Sequence, residues 1–158
     1  MMRQLILQLA PAPAPTLDNY VPGRNGAALQ AMRDIARGAG AERFVYLWGE
    51  HGSGRTHLLR GLAHAASGGK SQYLGGAPNG GQEDGQITAI DDVQNLPADG
   101  QIALFDLYNR VRAAGGALAA GGDAAPAQLP LRPDLRSRLR AMTAVSGDAR
   151  SAERWAYG

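Results

Sequence analysis

The residues with the clearest chemical potential form a glycine-rich stretch from Gly49 to Thr56, GEHGSGRT. Its spacing fits the pattern G-x-x-x-x-G-K-[ST], with Arg55 at the position where lysine is usual. Glycines let backbone N–H groups approach a polyphosphate, and the first turn of a following helix adds donors and the positive end of its dipole. The stretch predicts a nucleotide-phosphate loop, although a plain strand-to-helix turn could have a similar composition.

Each residue type in this loop has an expected task. The Thr56 hydroxyl is placed to hold Mg²⁺, and Arg55 keeps a positive charge on the β- and γ-phosphates as a planar fork. We therefore expect phosphate binding to be retained and the geometry for hydrolysis to be impaired. The expected phosphate-binding residues are Gly49, Gly52, Ser53, Gly54, Arg55, Thr56 and His57.

A second chemical feature is the acidic pair Asp91-Asp92, which follows the apolar segment 86–90 and comes 35 positions after Thr56. In a phosphoryl-transfer site, Asp91 would orient Mg²⁺ together with Thr56, and Asp92 would polarise the attacking water. A pair of acids at a strand end or helix cap is the alternative that the residues alone leave open. With the loop, the pair predicts ADP or ATP and Mg²⁺ as cofactors.

The bulk composition limits the remaining functional classes. The chain has 158 residues, a net charge of +2 and no cysteine, which suggests one globular domain without disulfides or thiolate metal sites. The small charge gives little support for direct DNA binding, and no segment reaches the roughly 20 apolar residues of a membrane span. The histidines at 51, 57 and 64 are interpreted as loop and helix-surface residues, not as metal ligands.

Strands and helices must position these groups. The β-branched and aromatic run 43–48 predicts a strand before the loop, and helical periodicity follows the loop from about 55 to 66. Alternation of strands and helices predicts a parallel sheet with right-handed crossovers, whose carboxyl edge carries the loop, Asp91-Asp92 and Asp123. The other predicted elements are helices near 26–36, 97–112 and 133–140, and strands at 71–74, 86–90 and, weakly, 117–120.

The amino-terminal peptide is a candidate docking segment. Residues 4–9, QLILQL, are mostly apolar and precede an Ala-Pro run, which is a stiff, extended tether. A strand or tail packed on its own domain is equally compatible with this sequence. The residues that would contact a partner are Gln4, Leu5, Leu7 and Leu9.

Several strings together resemble the AAA+ proteins related to the bacterial replication initiator DnaA, and in particular those that inactivate DnaA. The match extends in order to about Leu139. It is carried by the peptide at 4–9, DNYVPGRN at 18–25, LWG at 47–49, IDDVQ at 90–94, FDLYNR at 105–110 and PDLRSRL at 133–139.

The resemblance implies an α/β fold, a P-loop AAA+ three-layer core with a parallel sheet. It divides the chain into a clamp-binding peptide and tether at 1–15, the nucleotide-binding core at 16–139 and a divergent tail at 140–158. After Leu139 the family pattern has a Gly-Trp-Gly-type strand and a helical lid, and we expect this lid to be missing here.

The resemblance also implies a regulatory function. Proteins of this kind bind the DNA polymerase sliding clamp through the amino-terminal peptide and stimulate ATP hydrolysis by DnaA, which limits replication initiation. Tyr20 and Val21 would pack near adenine, Asp123 would end the sensor strand, and Arg138 would be an arginine finger acting on DnaA. Without the resemblance, Arg138 reads as part of a solvated basic helix face.

These expectations complete the functional prediction. The partners are DnaA and the clamp, with a homodimer as a further expectation, DNA reached only through the clamp, and no membrane contact. The setting is the bacterial cytoplasm, associated with the nucleoid. We expect a regulator and not an efficient enzyme; the alternative is a DnaA-like AAA+ ATPase in replication initiation.

Overall fold

The computed structural model describes residues 14–20, 25–38, 42–49, 54–65, 71–78 and 86–146. The predicted clamp peptide at 4–9, Val21, and the loop residues Gly52 and Ser53 lie outside these ranges, as does the chain after residue 146. In the described ranges, no helix combines the length and the apolar character that crossing a membrane requires.

Helices and strands alternate along the chain as the sequence predicts. The helices are α1 (Gly26–Arg37), α2 (Arg55–Ala65), α3 (Ala98–Ala114) and α4 (Pro133–Arg140). The strands are β1 (Phe44–Trp48), β2 (Ser71–Leu74), β3 (Ile87–Ile90), β4 (Ala117–Gly122) and β5 (Thr143–Ser146), and short 3-10 turns occupy Val93–Asn95 and Pro126–Gln128.

The five strands form one parallel sheet in the order β2-β3-β4-β1-β5. Trp48 at the end of β1 pairs with Gly122 at the end of β4, and Ile90 at the end of β3 pairs with Ala120. The carboxyl ends of the three central strands therefore lie side by side. This arrangement confirms the predicted α/β fold with a parallel sheet.

Two apolar cores cover the two faces of the sheet, which makes the fold three-layered. Successive strand residues point to opposite faces, so Val45 and Leu47 belong to one core and Tyr46 to the other. The first core is completed by α1 and α2, and the second by α3 and α4. The α1 stripe of Leu29, Met32 and Ile35 is buried, as its helical spacing predicts.

The central strand β4 is built from small residues, ALAAGG, and all six are buried. The sequence analysis predicted only a weak strand at 117–120, because alanine and glycine have low strand propensity. The structure extends this strand to Gly122. Burial between two helical layers, in a position where small side chains let the layers approach, outweighs the propensity.

The sheet also continues past the expected end of the core at residue 139. Residues 143–146 form β5, which pairs in parallel with β1, with Val45 beside Thr143 and Trp48 beside Ser146. The sequence analysis placed these residues in a divergent tail. An edge strand that is largely exposed needs few apolar residues, and so TAVS gave only a weak signal.

Candidate functional site

The carboxyl edge of the sheet brings the predicted chemical residues together. Gly49 follows β1, Arg55 begins α2, Asp91 follows β3, and Asp123 follows β4. The backbone N–H of Gly49 donates to the carbonyl of Gly122 at 3.2 Å, which ties the start of the loop to the end of β4. The edge is therefore a continuous surface and not a set of separate strand ends.

Asp91 is the buried centre of this surface, with no exposed area. Its Oδ1 accepts from Arg55 Nε at 2.7 Å and from the backbone N–H of Asp92 at 2.8 Å. Its Oδ2 accepts a hydrogen bond from the Thr56 hydroxyl. A buried carboxylate needs such partners, because an unpaired charge there would be strongly destabilising. Both predicted Mg²⁺ ligands, Thr56 and Asp91, thus lie in contact.

Arg55 extends across the carboxylates. Besides its bond to Asp91, its Nη2 donates to Asp92 Oδ1 at 2.6 Å and its Nη1 donates to the carbonyl of Gly49 at 3.0 Å. The Arg55 side chain is 11% exposed. The sequence analysis expected this cation to face phosphate; the structure places the guanidinium on the two acids.

Asp92 and Gln94 connect the acidic pair with the end of β4. Asp92 adopts the left-handed conformation, with φ at 55°, which is uncommon for a residue other than glycine and is often found at functional sites. Gln94 Nε2 donates to Asp92 Oδ1 at 3.3 Å, and Gln94 Oε1 accepts from the backbone N–H of Asp123 at 3.2 Å. Sequence reasoning assigned no role to Gln94; its position two residues after the acids was the available signal.

Gly121 provides the space in which this network packs. A Cβ at this position would lie 2.8 Å from Arg55 Cδ, Asp91 Oδ1 and Leu59 Cδ1. The backbone of β4 therefore approaches the ion pair as closely as the absence of a side chain allows. The role of Gly121, like that of Gln94, was not predicted from the sequence, because glycines are frequent throughout the chain.

Tyr20 lies against the carboxyl end of the predicted phosphate loop. Its ring is buried, and burial raises the pKa of its hydroxyl. The hydroxyl accepts from Asn25 Nδ2 at 2.7 Å, and a Cβ on Gly54 would lie only 2.9 Å from it. Gly54 has φ at 88°, which glycine adopts without strain. Asn25 thus supports Tyr20 instead of capping α1 with its side chain.

His57 binds the segment before α1. Its Nε2 lies 2.8 Å from both the Thr16 carbonyl and Asn19 Oδ1, two acceptors, so this nitrogen carries the proton. Burial lowers the pKa of the imidazole. Within the described residues, no group of three or more His, Asp or Glu side chains has the spacing of a metal site.

A narrow recess lies beside the ion pair. It is open between α1, β1, α2 and β5, and its lining is mainly apolar, with two polar members. The lining residues are Asn25, Ala28, Leu47, Trp48, Arg55, Leu58 and Val145.

Arg138, the predicted arginine finger, lies on α4 and contacts α3. Its Nε donates to Asn109 Oδ1 at 3.2 Å, and its guanidinium carbon lies 5.1 Å from the Phe105 ring centre and 5.9 Å from that of Tyr108. The side chain is half-buried. In these contacts the cation faces rings and a neutral amide.

Comparison with known proteins agrees with this architecture. Residues 12–73 match the family described as bacterial DnaA ATPase domain. Domain III of DnaA from Thermotoga maritima is 24% identical, with a TM-score of 0.75 and coverage of 92% of this chain and 73% of that one. AMPPCP-bound DnaA from Aquifex aeolicus is 22% identical, with a TM-score of 0.74. The match covers 87% of this chain and 51% of the Aquifex chain.

The chain is therefore similar to the DnaA ATPase domain in sequence over residues 12–73 and in fold over most of its length. An uncharacterized protein of Haemophilus influenzae is 32% identical, and the alignment covers 88% of this chain and 66% of that relative. The chain therefore spans just under two thirds of that protein and about half of the Aquifex DnaA. The predicted AAA+ P-loop fold is confirmed, since the chain shares the fold of these DnaA domains.

Proposed function

We propose that the chain is an adenine nucleotide-binding regulator of DnaA, of the inactivator type represented by Hda. The observation that carries this proposal is the convergence of Gly49, Arg55, Thr56, Asp91 and Asp92 at one sheet edge, with Arg55 held by both acids. Gly49 and the start of α2 at Arg55 and Thr56 suit phosphate binding. The ion pair suits a site that binds nucleotide more readily than it hydrolyses it.

Adenine nucleotide is the proposed ligand because a DnaA neighbour of similar fold is bound to AMPPCP. In this chain, the amides of the first turn of α2 and the backbone from Gly49 to Gly54 would hold the phosphates. Tyr20, buried against Gly54, would border the nucleotide together with Val21. The nucleotide would supply negative charge at the positive end of the α2 dipole.

Weak intrinsic hydrolysis follows from the environment of Asp92. Its Oδ1 accepts from both Arg55 Nη2 and Gln94 Nε2. An oxygen that is held by a cation and an amide is less available to orient the attacking water. The regulator proposal is therefore favoured over an efficient ATPase.

Arg138 is the proposed group that acts on DnaA. Rings and one neutral amide hold it, and such contacts are worth only about 0.5–1 kcal/mol at exposed sites. It could therefore leave α3 and insert opposite the γ-phosphate bound to DnaA, where an arginine stabilises the transition-state charge. The sliding clamp would bring the two proteins together through Gln4, Leu5, Leu7 and Leu9.

Stimulation of ATP hydrolysis by clamp-bound DnaA tests this proposal. We expect Arg138→Ala to remove stimulation while ADP binding and clamp recovery stay unchanged. Arg140→Ala, on the exposed side of the same helix, is the matched control and should retain stimulation. Full stimulation by Arg138→Ala would reject the finger role, and equal clamp recovery after deletion of residues 4–9 would reject the docking role.

A DnaA-like ATPase is the second candidate, because both acids of the pair are present at the sheet edge. Multiple-turnover hydrolysis of ATP by the isolated chain separates the two functions. Appreciable turnover without DnaA would favour the enzyme, and its absence together with stimulation of DnaA would favour the regulator.

A further inference from the structure

The predicted magnesium site lies where Thr56 and Asp91 meet. Mg²⁺ requires oxygen ligands at about 2.0–2.1 Å in near-ideal octahedral geometry. Thr56 and Asp91 are the available ligands, but the two Asp91 oxygens already accept three hydrogen bonds. The guanidinium lies 2.7 Å from Asp91 Oδ1. The residues as arranged do not fit the ion.

Moving Arg55 aside would be costly. Asp91 has no exposed surface, and breaking a buried pair leaves a charge without compensation. The close approach of Gly121 and Leu59 to the pair leaves little room for rearrangement. The cation at this position is therefore a fixed part of the fold.

The guanidinium occupies acceptors that a metal ion would use at this edge. Its fork reaches Asp91, Asp92 and the Gly49 carbonyl, which belong to two separate strand ends. Among the described residues, these bonds use three of the five N–H donors of an arginine.

We propose that Arg55 replaces the divalent cation in this site, so that the chain binds a nucleoside diphosphate without Mg²⁺. The proposal rests on the nucleotide-binding function proposed above. It goes further in stating that the cation at the two acids is a side chain and not a metal ion. A compact lysine ammonium could not span both acids in this way.

Fluorescence polarisation of mant-ADP on the full chain, in excess Mg²⁺ and in excess EDTA, tests the proposal. We expect the two dissociation constants to agree within about threefold. Weakening by tenfold or more in EDTA would overturn the proposal and leave nucleotide binding intact. Absence of binding in both buffers would overturn both proposals.

Arg55→Lys assigns the effect to this side chain. We expect the variant to bind mant-ADP about tenfold more weakly in EDTA than in Mg²⁺. Arg60→Lys, an exposed arginine on the same helix that lies over the Tyr73 ring, should behave as the parent chain. Equal binding in both buffers by folded Arg55→Lys would overturn the role of Arg55. If that variant does not fold, the comparison of buffers with the parent chain still decides.

Discussion

Arg55 and Arg138 are two arginines with opposite environments. Arg55 is held by two carboxylates and a carbonyl, and Asp91, its main partner, is fully buried. Arg138 is half-buried, and its partners are aromatic rings and the Asn109 amide. One guanidinium is an internal ion-pair partner, whereas the other rests on the surface of a helix.

The difference separates two uses of the same side chain. A cation that is bonded in several directions inside a fold contributes fixed charge and positions its neighbours. A cation held by weak contacts keeps its charge available for a partner molecule. Substitutions that remove the partners of each arginine, or crowd them, should therefore have very different consequences.

Removal of the acceptor gives the largest contrast. Asp91→Ala removes the buried carboxylate that Arg55 and Thr56 share, and we expect it to lower the free energy of unfolding by about 3 kcal/mol. Asn109→Ala removes the acceptor of Arg138 and should cost less than about 0.5 kcal/mol. Urea unfolding followed by circular dichroism measures both. Equal losses would show that the two arginines are held alike.

Crowding of the ion pair should have the next largest effect. In Gly121→Ala, the new methyl group would lie 2.8 Å from Arg55, Asp91 and Leu59, and such overpacking costs about 2 kcal/mol. Gly26→Ala is the control, because a Cβ there meets nothing within 4 Å. Thermal unfolding of both variants compares them, and unchanged stability of Gly121→Ala would mean that the network can shift.

Arg138→Ala should have a smaller effect on stability. It removes the contacts with Phe105, Tyr108 and Asn109, and we expect a loss of about 0.5–1 kcal/mol in the free energy of unfolding. Chemical denaturation measures this directly. A loss as large as that from Asp91→Ala would contradict the view of Arg138 as a loosely held group.

The smallest effect concerns His57, two residues after Arg55 on α2. Burial lowers the pKa of its imidazole, because desolvation disfavours the charged ring. In the interval between this lowered pKa and the unfolded value of about 6.5, the unfolded chain binds more protons than the folded chain. The contribution of the neutral His57 ring to the free energy of unfolding is therefore fully present above about pH 6.5, and it is lost as the pH falls through the folded pKa.

Thermal melting between neutral and mildly acidic pH tests this dependence. In His57→Gln, the melting temperature should depend less on pH, because the contribution of the His57 ring is removed. His64 is an exposed histidine on the same helix. His64→Gln should therefore show the same pH dependence of melting as the parent chain. An unchanged profile in His57→Gln would show that the contact with Thr16 and Asn19 is insensitive to protonation.

Much of the fold could be predicted because its signals are local. The aromatic and β-branched run before Gly49 and the helical spacing of Leu58, Leu59 and Leu62 depend only on neighbouring residues. The parallel sheet followed from the alternation of elements. From that topology, Asp91, Asp92 and Asp123 were placed at the correct edge.

The missed features depend on contacts between distant segments. Arg55 faces the acids because β3 ends beside α2, a relation that no local pattern encodes. Gly121 and Gln94 acquire their roles only when β4 and the turn after β3 meet. The edge strand β5 was missed because pairing on one side with β1 compensates for its modest strand character.

The small residues of β4 have a consequence for how the chain tolerates sequence change. This strand lies at the middle of the sheet, all six of its residues are buried, and helices pack above and below it. A larger side chain in β4 would displace the helical layer that it faces and, through a shift of the strand backbone, the opposite layer as well. Evolutionary drift should therefore accumulate on the sheet margins, and the middle strand should be the segment least open to redesign.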